Sequence, residues 1–154
     1  MRAFLLALGL PLVASSACET GDRTAVMVHV CLSLEVPGDV AFARVVVEHA
    51  YRPAVSHVVR LEPGARWATL SVRPGTDLAA EEDFYLSVVG LDDAGRQVVA
   101  RTVHTWFSPS QDRDVAVYLE PDCLGVVCRE GETCGAGICS PVNLTDDRWC
   151  PTEP

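Results

Sequence analysis

Phe84-Tyr85-Leu86-Ser87-Val88-Val89-Gly90-Leu91 and Gln97-Val98-Val99-Ala100-Arg101-Thr102-Val103 stand on either side of Asp92-Asp93-Ala94-Gly95. Both runs are rich in β-branched residues, which suit a pleated, half-buried surface. Gly95 can take a left-handed backbone without a steric cost, so the link predicts a hairpin. The same pattern extends outward in both directions. Val26, Val28, Val30, Leu32 and Leu34 alternate with Met27, His29, Cys31, Ser33 and Glu35, a period of two that reads as a half-buried strand. Further strand-like runs cover 43–50, 55–61, 66–73, 83–91, 97–106 and 114–119. Pro37-Gly38-Asp39, Pro53, Pro63-Gly64, Pro74-Gly75 and Pro109 supply turn chemistry between them. Seven strands starting about 10 to 17 residues apart predict an all-β fold. The leading form is a seven-stranded antiparallel sandwich, immunoglobulin or fibronectin III-like, with a barrel as runner-up. Leu78-Ala79-Ala80-Glu81-Glu82 alone reads as helical, and a piece so short is expected to be a connection.

Composition narrows the function classes. The chain has 154 residues, 49% hydrophobic, with 21 acidic residues against 12 basic ones and a formal charge of -9. All the basic residues are arginine, and they are scattered singly among acids. A polyanion binder needs clustered cations, so a nucleic-acid partner is excluded. The acidity is expected to serve solubility.

The N-terminus carries an address. Arg2 precedes the apolar stretch from Ala3 to Val13, and Ala14-Ser15-Ser16-Ala17 follows. The stretch is too short for a spanning helix of about 20 apolar residues, and with its positive start and small-residue end it reads as an export signal. Cys18 comes next, and here the sequence resembles a bacterial lipoprotein signal, in which a cysteine after small residues is lipidated and becomes the mature N-terminus. Ser15 stands where that family prefers Leu, and Ser15-Ser16-Ala17 also suits an ordinary signal peptidase. Cysteine parity favours the lipid: seven is odd, and removing Cys18 leaves Cys31, Cys123, Cys128, Cys134, Cys139 and Cys150, an even set that can pair in an oxidising compartment. Glu19-Thr20 lacks the Asp that retains some lipoproteins at the inner membrane, which points to the outer membrane.

At Pro121 the composition changes. Five cysteines fall between Cys123 and Cys150, with glycines at 125, 131, 135 and 137 and almost no apolar periodicity. A piece this small needs covalent staples. Structural zinc usually takes cysteines two to four residues apart, often with histidine. The tail has no histidine and no Cys-x-x-Cys, so disulfides are expected and no metal. Six cysteines allow fifteen pairings. Asp122-Cys123-Leu124-Gly125-Val126-Val127-Cys128, with Glu132-Thr133-Cys134 and Gly137-Ile138-Cys139, resembles the Cys-rich module, akin to half an EGF-like domain, that closes many uncharacterised myxobacterial lipoproteins. The EGF-like order implies Cys123–Cys134 and Cys128–Cys139, which leaves Cys31–Cys150. Strand alternation supports the last pair, since it puts Cys31 on the polar face where a tail can reach it. The expected organisation is therefore a signal peptide (1–17), a lipidated N-terminus and linker (18–24), a β-sandwich (25–120) and a Cys-rich tail (121–154).

Little points to chemistry. His29, His49, His57 and His104 lie in four strand segments with no shared spacing, and each reads as a polar-face or strand-end residue. No His-Glu-x-x-His, Gly-x-Ser-x-Gly, phosphate loop or EF-hand spacing occurs. Glu81-Glu82-Asp83 and Asp92-Asp93 lack the alternating spacing of a calcium loop and read as solvated turns. Trp67 alternates with Ala68, Leu70 and Val72, which turns it outward, either as a contact surface or, preferably, under the tail. Asn143-Leu144-Thr145 matches a glycosylation acceptor, read as chance in a bacterial lipoprotein. The expected protein is a lipid-anchored envelope module, non-enzymatic and without a cofactor, held to the membrane through Cys18 and presenting a surface to an envelope protein or a glycan. The alternative is a soluble secreted inhibitor or toxin-like protein.

Overall fold

A computed structural model gives the fold and describes residues 24–74, 83–143 and 150. Cys18, the export signal, the helical-looking 78–82 stretch and the last two residues of the Asn143 acceptor lie outside the described residues. Seven strands form the body: β1 (Ala25–Leu32), β2 (Phe42–His49), β3 (Arg52–Arg60), β4 (Trp67–Val72), β5 (Asp83–Leu91), β6 (Gln97–Trp106) and β7 (Asp112–Leu119). They make two facing sheets, a three-stranded one ordered β4-β1-β7 and a four-stranded one ordered β3-β2-β5-β6. The all-β sandwich is as the alternation predicts, with four strands in one layer and three in the other. The barrel is excluded, because both sheets end in edge strands.

One pairing departs from the expected antiparallel form. β7 runs parallel to β1, with Val28 beside Val115 and Val30 beside Val117. The reason is the route of the chain. β6 lies at the edge of the four-stranded sheet, and β7 crosses to the other sheet in the same direction as β1. Period-two alternation fixes the buried face of a strand but not its direction, so no residue signals the parallel pair. A second departure concerns Pro53, which was expected between strands and lies inside β3. β3 is an edge strand, where a residue lacking an N–H can be accommodated.

The alternating positions close on one core. Val26, Val28 and Val30 of β1, with Val115, Val117 and Leu119 of β7, face Leu86 and Val88 of β5 and Val99 and Val103 of β6. Phe84 and Phe107 lie in the same core with their rings 4.7 Å apart. Gly90 sits where nothing larger fits: a β-carbon there would stand 2.6 Å from Val99 Cγ1 and 3.0 Å from Val40 Cγ2. At the β5–β6 hairpin Gly95 takes φ +75°, as predicted. The Asp92 carboxylate accepts the Arg96 backbone N–H at 2.8 Å, then the Arg96 side chain, then the Ala94 N–H at 3.0 Å. These bonds, led by the Arg96 amide, hold the Asp92 carboxyl below its ordinary value. Because the folded value is depressed, the carboxylate's contribution is present above the unfolded carboxyl value, about 3.9, and fades as pH falls through the lower folded one.

Cys31 of β1 is bonded to Cys150, closing a loop with a sequence separation of 119. Cys123–Cys134 and Cys128–Cys139 complete the set, the same pairs that the EGF-like order implies. On the chain-entropy account, Cys31→Ser should lower unfolding free energy by about 5 kcal/mol, a large part of a small domain's stability. Cys150→Ser should match it in denaturant titration, each single variant exposing one thiol and the double variant none beyond the background. Gly90→Ala should cost about 1 to 3 kcal/mol through overpacking, read as a lower denaturation midpoint at unchanged slope.

Candidate functional site

The tail begins with a single 3-10 turn at Pro121–Cys123 and continues into a hairpin of β8 (Glu132–Gly135) and β9 (Ile138–Pro141). Ala136 and Gly137, the two residues joining these strands, have φ of 49° and 75°. Positive φ at both central residues matches the twist of a tight hairpin. Sequence alternation gave no sign of these strands, since a four-residue strand stapled at Cys134 and Cys139 needs little apolar patterning.

The tail does not hang free. Gly125 N–H donates to Val98 O at 2.8 Å, and the Thr102 N–H donates to Thr133 Oγ1 at 2.8 Å, so the outer edge of β6 is occupied by the module. Arg101 reaches Glu120 Oε2 at 3.2 Å, and the same oxygen accepts the Ala136 N–H at 2.9 Å. Cys123 and Cys134, each 2% exposed, belong to the same buried cluster as Val99 and Leu119. Val126 and Cys128 pack against that cluster from outside. Sandwich and module therefore share one core.

Between them lies a cleft of about 430 Å³. Its floor is the outward face of the four-stranded sheet: Glu48 from β2, Tyr85 and Ser87 from β5, Ala100 and Thr102 from β6. Its wall is the module from Val126 to Cys134, with Val142, and Gln97 stands at one end. The floor is ordered by cross-strand pairs. Ser87 and Thr102 share a hydroxyl hydrogen bond at 2.8 Å. Tyr85, 44% exposed, stacks on His104 at 4.8 Å and is in register with Glu48 on the other side, and His104 Nε2 meets Asp83 Oδ2 at 2.7 Å. Three carboxylates (Glu48, Glu130, Glu132) against one guanidinium (Arg129) give the lining an acidic balance. Every floor residue occupies an outward strand position. The sequence had no means of showing that the tail would fold over that face.

Of the residues singled out from sequence, Cys128 and Cys134 line the cleft and His104 stacks on its Tyr85, whereas the other histidines and Trp67 fall elsewhere. His29 is 8% exposed on the outward side of β1 and bridges two strands, Nδ1 to Thr69 Oγ1 at 3.2 Å and Nε2 to Asp114 Oδ1 at 2.7 Å. This hydroxyl–imidazole–carboxylate line joins residues that sequence spacing did not connect. Its geometry ties β4, β1 and β7 together through both ring nitrogens. His49 packs edge-on to Tyr51 at 6.0 Å, and His57 is exposed on β3. Asp83 pairs across strands with His104, and Asp92 pairs within the hairpin turn with Arg96. Among the described residues no three His, Cys, Asp or Glu side chains are grouped to hold a metal. Trp67 is outward and 53% exposed, in register with Cys31 and so beside the Cys31–Cys150 bond.

No protein-family model, characterised protein or solved structure matches the chain.

Glu120 is the hinge pin of the cleft, because one carboxylate oxygen serves the sandwich and the module together. Glu120→Ala should cost about 1 kcal/mol. It should also raise amide exchange in 121–141 while leaving β2 and β5 protected.

Proposed function

We propose that the protein is an exported, lipid-anchored module of the cell envelope that binds a partner without chemical turnover. The observation that carries this reading is the cleft walled by a triply stapled tail. Disulfides that complete the core are compatible with an oxidising compartment outside the cytoplasm. Rigid walls suit binding, since little order has to be imposed on association. The six bonded cysteines leave Cys18 as the odd thiol, which fits its proposed use as the anchor. One acyl chain would hold a membrane only marginally, and the diacylglyceryl group plus N-acyl chain of the lipoprotein family would hold it durably. Thr24 enters β1 a few residues after Cys18, so the tether would leave from the end of the sandwich that holds the start of β7. The Thr69–His29–Asp114 line is read as a strand clamp, because the imidazole is nearly closed to solvent.

A second reading, a soluble inhibitor, draws on Val127, which is 88% exposed in the loop closed by Cys123–Cys134. Mass spectrometry of the mature N-terminus separates the two. The envelope reading expects a chain starting at Cys18 with a diacylglyceryl thioether and an N-acyl group. It also expects Cys18→Ser to move the protein from the membrane to the soluble fraction. A Cys18 found free or disulfide-bonded would favour the inhibitor.

A further inference from the structure

We propose that the cleft binds a neutral, hydroxyl-rich saccharide, with Tyr85 as its platform. This names the partner of the binding module proposed above and rests on that reading for its role, though not for its geometry. The volume of about 430 Å³ lies within the usual range for small-molecule sites, and would take a short oligosaccharide segment rather than a folded surface.

The floor has the mixed chemistry that sugars require. A pyranose presents an apolar C–H face and a rim of hydroxyls that both donate and accept. The Tyr85 ring, stacked on His104 through one face and still 44% exposed, offers aromatic surface for the first. The Ser87–Thr102 hydroxyl pair, the Glu48 carboxylate and the Gln97 amide offer donors and acceptors for the second. These groups come from three adjacent strands, so their spacing is set by the ladder and not by a loop.

Two observations narrow the ligand further. The carboxylate excess of the lining opposes acidic sugars and phosphate-bearing glycans. A peptide would bind most readily by adding a strand to a sheet edge. That edge of β6 is already used, since Val98 O and the Thr102 N–H are held by Gly125 and Thr133. A peptide in this cleft would have to rely on side chains alone.

The test is amide chemical-shift perturbation and calorimetry on the full mature protein. The probes are maltotriose, cellotriose, mannotriose and chitotriose, with trigalacturonate as the acidic probe and trilysine as the basic peptide. The expected result is saturable binding of at least one neutral trisaccharide, with shifts centred on Tyr85, Ser87 and Thr102. Tyr85→Ala should weaken it by about tenfold or more while Tyr85→Phe retains it, and trigalacturonate should bind at least about tenfold more weakly. The wild-type strand shifts, preserved outside the cleft in both variants, would certify folding. Failure of all four neutral probes, binding unchanged in Tyr85→Ala, or saturable binding of trilysine alone would overturn the proposal. Glycan binding by a protein without lipid on Cys18 would overturn the tether and support the cleft. A lipidated protein that binds none of the sugars would overturn the cleft alone.

Discussion

The structure depends on the burial of one covalent bond. Cys123 and Cys134 lie in the hydrophobic cluster that the two sheets share, so the tail contributes to the core that it covers. Without that insertion the module would hold to the sandwich through Val126, Cys128 and a few hydrogen bonds. A tail of this size is too small to support a core independently. The sandwich supplies the core, and the disulfides supply the shape. The Gly125–Val98 and Thr133–Thr102 bonds then satisfy β6 groups that a free edge would leave to solvent or to another chain.

The cleft is a consequence of that arrangement. Outward residues such as Tyr85 and Ser87 would form an ordinary polar sheet face if the tail lay elsewhere. With the module docked along β6, the same side chains become the floor of a concavity whose wall carries Arg129, Glu130 and Glu132. Glu120 couples the halves through one oxygen shared by Arg101 and the Ala136 amide. The cleft thus belongs to neither part alone.

How much of this was legible follows from the range of each interaction. Alternation is local, and it placed the strands and the inward valines, including both arms of the Asp92–Gly95 hairpin. The direction of β7 and the position of Pro53 within an edge strand depend on where distant segments pack, and no local pattern encodes that. The cysteine pairs came from resemblance and parity and coincide with the bonds in the structure. Nothing local marks the floor of the cleft, since its meaning comes from a tail that folds back over it from beyond Pro121. His29, Thr69 and Asp114 form a contiguous line across three strands, although up to 85 residues separate them in sequence.

Non-reducing peptide mapping of the mature protein reads this covalent frame without an intermediary. Three disulfide-linked species are expected, Cys31 with Cys150, Cys123 with Cys134 and Cys128 with Cys139, with Cys18 in none of them. A bond between Cys18 and any other cysteine would contradict it, because a displaced partner would take away a staple from the wall on which the cleft depends.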